Sequence, residues 1–312
     1  MTAWNLSISD LIDTALREDI GSGDLSSLIL PAEVSGEAIV IAKAFGVVCG
    51  LEIVRAVFER VESKIVFTPL CQDGDVVTPG MPIARLKGPL AGILQAERTA
   101  LNFLQHLSGV ATITARMVEA ASAGVAASGT TPEQGSNNLL PDKPVRIVDT
   151  RKTLPGMRAL QKYAVRTGGG HNHRFGLYDG VMLKDNHLAA AGGVAEAVLK
   201  ARQCVGHMVK IEVECETITQ VREAVAAGVD VIMLDNMCLD DMREAVALIG
   251  GQALVEASGD IREDNIAEVA AVGVDIISMG CLTHSVRALD FSLVIDTSKP
   301  SIQQLTAIDS NL

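Results

Sequence analysis

The segment AGVDVIMLDN (227–236), the helical stretch Leu239–Ile249 and the segment ALVEAS (253–258) together decide the fold. Each apolar run is short, rich in β-branched residues and followed by a stretch with helical spacing, which is the pattern of a βα unit feeding a parallel sheet. The same pattern extends in both directions. Upstream lie VRIVD (145–149), GVMLKD (180–185) and VKIEVE (209–214), and downstream VDIISMG (274–280). Helical stretches at Val194–Cys204, Thr217–Ala227 and Arg262–Val272 fall between these runs. A weak internal echo, Gly-Val-Asp at 228–230 and again at 273–275, favours a barrel of repeated units over an open sheet.

The residues before this alternation read differently. A helix near Ile8–Glu18 leads to a turn at Gly21–Asp24, and short extended segments follow at Gly36–Ala42, Ile65–Thr68 and within Gly74–Gly88. Helical spacing marks Leu51–Val61, and a longer helical stretch from Ile93 to Ala123 is expected to break near Ser108-Gly109. This is an α+β unit. The polar stretch Ser128–Lys143 reads as an exposed loop ahead of the first barrel strand.

With 312 residues, 48% of them hydrophobic and 21% charged, the chain has ample material for a packed core. The formal charge of −12 argues against nucleic acid or an anionic membrane as the main partner, but leaves room for a local basic pocket. Six scattered cysteines without a CxxC pair read as reduced thiols. The first residues lack a signal-peptide pattern, and no stretch approaches a membrane span, so a cytoplasmic enzyme is expected.

Polar residues fall where each strand ends: Asp149-Thr150-Arg151-Lys152, Lys184, Glu212 and Glu214, Asp235-Asn236, Ser258-Gly259, Ser278 and Gly280. In parallel βα barrels the carboxyl ends of the strands carry the active site, so six polar ends point to one mouth. Arg98, Arg151, Lys152, Arg174 and Lys184 suit a ligand with several negative charges; any one of them alone also reads as an internal ion-pair partner. Glu214 and Asp235 suit a hydrated magnesium ion or ribose hydroxyls, whereas Glu216 reads as the start of a helix. Ser258-Gly259-Asp260 and Ser278-Met279-Gly280 follow consecutive late strands, where backbone N–H groups often hold a phosphate; each alone reads as a tight turn. His173 follows Gly168-Gly169-Gly170 and fits an anion contact or a structural role.

Taken together, ERTALN (97–102), SGVAT (108–112), DTRKTLPGMR (149–158) and KYAVRTGGGHNHRFGLYDGVMLKDNH (162–187) resemble quinolinate phosphoribosyltransferase. EVE (212–214), LDN (234–236), ASGDI (257–261) and SMGCLTHS (278–285) extend the resemblance over nearly the whole chain. It implies an α/β fold: an N-terminal α/β sandwich over 1–114, onto which a tail at 288–312 packs, followed by an incomplete α/β barrel over 115–287.

The implied activity is transfer of phosphoribosyl from phosphoribosyl pyrophosphate to quinolinate with loss of carbon dioxide, in a homodimer. The resemblance assigns quinolinate contacts to Arg151, Lys152, His173, Arg174 and Lys184 and a substrate contact to Thr150, with Arg98 reaching the neighbouring subunit's site. It assigns catalysis to Lys152, Glu214 and Asp235, magnesium (directly or through water) to the two carboxylates, and phosphate to Ser258–Asp260 and Ser278–Gly280. Asp260 departs from the family's usual Gly or Asn, so its carboxylate should point away or be solvated. Rival readings are a related barrel protein associated with molybdenum transport, a non-catalytic barrel that binds phosphorylated metabolites, and a decarboxylase of the orotidylate type.

Overall fold

A computed structural model describes residues 3–31, 34–128 and 145–296. The Ser128–Lys143 loop therefore lies almost wholly outside the described residues. The chain divides into two units, one holding residues 113–154 and 169–285 and the other the remainder.

The unit that holds the alternating pattern is built on six parallel strands: β6 (Arg146–Val148), β7 (Val181–Leu183), β8 (Ile211–Cys215), β9 (Val231–Asp235), β10 (Leu254–Ser258) and β11 (Ile276–Ser278). Their order across the sheet is β6-β11-β10-β9-β8-β7. β6 and β7 follow one another in the chain yet stand at opposite edges. A closed barrel would pair them; among the described residues no ladder does, so the barrel is incomplete.

The connecting helices are α5 (Asp185–Ala191), α6 (Val194–Cys204), α7 (Ile218–Ala226), α8 (Leu239–Ile249), α9 (Ile266–Ala271) and α10 (Cys281–His284). Ile211, Ile232 and Ile277 are wholly buried, each removing apolar surface from water at about 1.5–3 kcal/mol. α9 starts four residues later than its sequence pattern predicts. Arg262 N–H donates to Asn265 Oδ1 (2.7 Å) and Asn265 Nδ2 donates to the Asp260 carbonyl (3.1 Å), which holds that segment as a turn.

The internal echo has a structural meaning. Asp230 Oδ2 accepts from Ile211 N–H (2.9 Å), and Asp275 Oδ2 accepts from Val255 N–H (2.8 Å). Each repeated Asp stands just before its own strand and ties down the start of the neighbouring one. These ties lie at the amino ends of the strands, leaving the carboxyl ends for chemistry.

The other unit contains α1 (Ala3–Ile20), β1 (Ser35–Ala42), β2 (Gly46–Val47), α2 (Leu51–Val61), β3 (Val66–Pro69), β4 (Val76–Val77), β5 (Pro82–Pro89), α4 (Arg158–Thr167) and β12 (Phe291–Ile295). Its main sheet has the order β12-β1-β5-β3 and is antiparallel throughout. β12 pairs with β1 from Ala38↔Ile295 to Ala42↔Phe291. The sequence reading placed α4 in the barrel domain; its side chains group it here instead. Tyr163 OH donates to Asp73 Oδ2 (2.6 Å), Asp73 Oδ1 accepts from Leu51 N–H at the start of α2, and Gln161 Nε2 lies 2.9 Å from His106 Nε2.

α3 (Leu90–Ser128) runs through the expected break at Ser108-Gly109. The two small residues are seats for other backbone rather than a helix stop. Ser108 Oγ accepts from Cys49 N–H (2.9 Å), and a Cβ on Gly109 would lie 2.4 Å from the Arg287 carbonyl oxygen. All six cysteines are free thiols, and no helix among the described residues is long and apolar enough to cross a membrane.

Candidate active site

The carboxyl ends of the six parallel strands meet at a cavity of about 570 Å³. Thr150, Arg151 and Lys152 reach it from the segment after β6, Lys184 from the end of β7, and Glu214 from β8. Asp235 and Asn236 come from β9, Ser258, Gly259 and Asp260 from β10 and its loop, and Ser278 from β11. His173 and Arg174 enter from the segment ahead of β7. Of the residues that the resemblance assigns to catalysis, substrate, metal or phosphate, three do not line it. Met279 is buried and gives its N–H to the Val148 carbonyl (2.9 Å), so that N–H is not offered to a ligand. Gly280 begins α10 beside Lys152. Arg98 belongs to the other unit and is exposed on α3.

The segment that carries the cations is anchored by a buried acid. Asp149 accepts from the Asn172 side-chain amide and from His173 N–H (3.0 Å), fixing the turn that delivers His173 and Arg174. The Arg174 guanidinium donates to the Gly180 carbonyl (3.0 Å). Partial burial and then the nearby Arg151 charge lower its pKa, so the two guanidiniums feel one another. Two cations held together repel unless an anion sits between them, which is the condition of an anion site. Thr150 Oγ1 accepts from Lys152 N–H (3.0 Å), and Thr283 Oγ1 donates to the Lys152 carbonyl (2.8 Å), so the backbone of this segment is braced.

Lys184 Nζ donates to Glu214 Oε2, and the side-chain amide of Asn236 donates to Asp235 Oδ2 (2.8 Å). Two backbone positions here are left-handed without being glycine: Asn236 (φ 54°) and Asp260 (φ 45°). Gly259 between their loops is left-handed too (φ 92°), and a Cβ there would meet Asn236 Oδ1 at 2.2 Å. Only glycine lets the β10 loop pass this close to the β9 loop. The Asp260 carboxylate is solvated, with Arg262 Nη2 at 3.9 Å, as its departure from the family pattern requires.

Under these groups lie two carboxylates. Glu256 is 1% exposed and Glu212 6% exposed, and both come within reach of His173 Nε2, at 3.6 and 3.1 Å respectively. Arg174 N–H donates to His173 Nδ1 (2.7 Å), so the ring proton resides on Nε2 and is directed at the carboxylates. Both ring nitrogens are thus used inside the protein. Burial, followed by the charge of Glu212, pushes the Glu256 carboxyl up to about 8, with the charge of His173 and the Ser278 hydroxyl opposing.

Residues 110–294 match the family described as "Quinolinate phosphoribosyl transferase, C-terminal domain", and residues 24–108 match its N-terminal domain. The chain belongs to the quinolinate phosphoribosyl transferase family. Over 306 residues it is 44% identical to the "Probable nicotinate-nucleotide pyrophosphorylase [carboxylating]" of Bacillus subtilis (strain 168), covering 98% of this chain and 99% of that relative. Among solved structures it resembles NadC from Streptococcus pyogenes, with a TM-score of 0.83 and 40% identity over 93% of this chain and 98% of that one. The nicotinate-nucleotide pyrophosphorylase from Francisella tularensis gives a TM-score of 0.84 at 36% identity, covering 94% and 97% of the two chains. These matches favour the quinolinate phosphoribosyl transferase family over the rival barrel readings.

Sequence reasoning passed over several residues of this family member's cavity. Met182 and Met233 line it as apolar walls that look like ordinary core in the sequence. Glu256 stands within an apolar run, and one signal pointed to it. Alternation along β10 puts Glu256 on the same face as Ser258, as it puts Glu212 with Glu214 on β8.

Proposed function

We propose that this chain transfers the phosphoribosyl group of phosphoribosyl pyrophosphate to quinolinate with loss of carbon dioxide, giving nicotinate mononucleotide and pyrophosphate. The observation that carries the reading is one cavity that gathers Arg151, Lys152, Arg174 and Lys184 with Glu214, Asp235 and the Ser258–Asp260 turn. Quinolinate has carboxylates on adjacent ring carbons. Paired guanidiniums suit such a ligand, because a planar fork binds a carboxylate through two hydrogen bonds. The turn at Ser258–Asp260 suits the 5′-phosphate.

The protein's work is positioning and electrostatics. Arg151, Arg174 and Lys184 hold the ring so that its nitrogen faces the anomeric carbon, and Lys152 offsets the charge that grows on the departing pyrophosphate. Once the nitrogen is bonded to ribose it is cationic and accepts the electron pair of the breaking bond to the neighbouring carboxylate. Glu214 and Asp235 offer the hard oxygen donors that magnesium takes together with substrate phosphates. Bound there, magnesium would neutralise pyrophosphate.

Arg98, exposed on α3, is expected to contact quinolinate in the site of a second copy, in a homodimer. Free thiols throughout agree with a cytoplasmic setting. The test is chromatographic detection of nicotinate mononucleotide with magnesium and the pyrophosphate donor, comparing quinolinate with nicotinate. Product from quinolinate alone is expected; product from neither would overturn the reading.

A further inference from the structure

Taking the reaction proposed above as given, we infer that Glu256 is the acid that protonates the ring carbon left behind by decarboxylation. Glu256 lines the cavity from the middle of β10, on the same strand face as Ser258, and is buried to 1% exposure. Its Oε1 makes no hydrogen bond of normal geometry, and the neighbouring Ser278 Oγ and Glu212 Oε1 are unpaired too. A buried polar atom without a partner costs stability, so its retention in a cavity lining points to a task there.

The three-group cluster of His173, Glu212 and Glu256 admits two chemistries, a bound cation or a shared proton. Their ligating atoms all lie within 4.8 Å of one another, which would suit a metal ion. The histidine tautomer decides against it. A metal would need the Nε2 lone pair, but Nδ1 accepts the Arg174 N–H, which leaves the proton on Nε2. One N–H then serves two buried carboxylates. Glu212 Oε2 takes it at 3.1 Å, while Glu256 Oε2, at 3.6 Å, lies beyond a hydrogen bond.

Two buried carboxylates this close do not both ionise readily, and the one without the N–H keeps the second proton. The upward shift of Glu256 to about 8 agrees with this assignment. Glu212 from β8 and His173 from the segment ahead of β7 are the titratable groups that face it; Ser278 from β11 and Met233 from β9 are not titratable in this range.

The step balances without a redox partner. The bond from the ring carbon to its carboxylate breaks and carbon dioxide departs, leaving the electron pair on the carbon beside the cationic nitrogen. The Glu256 O–H bond then breaks, its proton goes to that carbon, and its electron pair stays on the Glu256 carboxylate. Water restores the proton when product leaves. Two other donors are committed elsewhere, which leaves Lys152 as the rival that the test below separates. Lys184 is bound to Glu214, and His173 directs its N–H at Glu212.

The test measures single-turnover formation of nicotinate mononucleotide from pH 6 to 9.5 in the full-length protein. In the wild type the rate should fall as pH rises through about 8, because the neutral acid is the active form. Glu256→Gln should lower the rate roughly 100-fold, lose that basic limb, and leave quinolinate binding by calorimetry within about threefold. Glu212→Gln removes the neighbouring charge and should move the limb to lower pH; it also serves should Glu256→Gln fold poorly. A wild type without a basic limb, or a Glu256→Gln variant that retains its rate within threefold, overturns the assignment. So does a limb that survives Glu256→Gln and vanishes in Lys152→Met, which would make Lys152 the donor. A wild type that yields no product from quinolinate fails the proposed function instead.

Discussion

The ammonium of Lys184, at the end of β7, is bonded directly to the carboxylate of Glu214 on β8. A residue expected to hold quinolinate therefore occupies one expected to serve ribose or magnesium. A ligand carboxylate that takes Lys184 releases Glu214, which couples the two halves of the site; by linkage the coupling is reciprocal. Benzene-1,2-dicarboxylate keeps both carboxylates and lacks the nucleophilic nitrogen. Calorimetry should show that it tightens binding of magnesium and phosphoribosyl pyrophosphate by roughly fivefold. In Lys184→Met the enhancement should disappear. Equal donor affinity with and without the dicarboxylate in the wild type would rule the coupling out.

Arg174 is held by the Gly180 carbonyl and sits within the field of Arg151. Its planar fork, not its charge alone, should matter. Arg174→Lys is expected to raise the quinolinate KM about tenfold or more while the KM for phosphoribosyl pyrophosphate stays within threefold. Arg151→Ala should likewise fall chiefly on quinolinate. Unchanged quinolinate kinetics in either variant removes that residue from the quinolinate subsite.

The β10 loop offers a pair of opposite predictions. Gly259→Ala places a Cβ against Asn236 in a left-handed conformation, and should both lower Tm and raise the KM for the pyrophosphate donor. Asp260→Gly relieves a left-handed non-glycine residue and removes a carboxylate from the cavity edge. It should lower that KM severalfold without loss of Tm. A higher KM in Asp260→Gly would mean that the carboxylate is used.

Burial of Glu256 also predicts a stability profile. Its folded pKa, about 8, lies above its ordinary value of 4.5, so the folded state holds a proton that the unfolded state releases. Its contribution is fully present below pH 4.5 and is lost as pH rises towards 8. Glu256→Gln should therefore gain Tm over the wild type at pH 9 relative to the same comparison at pH 5. A constant difference between the two pH values would place an ionised carboxylate at this position.

Gly109 tests the continuity of α3. Alanine is the better helix former, so a helix that broke here would gain from the substitution. Because the Arg287 carbonyl occupies the space, Gly109→Ala should instead destabilise by about 1–3 kcal/mol in urea unfolding. A stabilised variant would show that the backbone approach is loose.

Much of this was legible in the chain itself. Apolar runs of strand length, separated by helical stretches, suffice to specify the βα pattern, since parallel strands buried on both faces are largely apolar. The polar residues that end those runs had nowhere to go but the mouth, which is why Arg151, Lys184, Glu214, Asp235 and Ser258 were found by position alone. Tertiary structure decided what depends on distance between remote segments. Ser108-Gly109 looked like a helix break because local propensity cannot see the Arg287 backbone packed on it. α4 read as barrel because only Asp73 and His106 reveal where Tyr163 and Gln161 bond. Glu256 stayed hidden in an apolar run because its chemistry comes from Glu212 and His173, dozens of residues away, and a buried proton is a property of the neighbours a fold assembles.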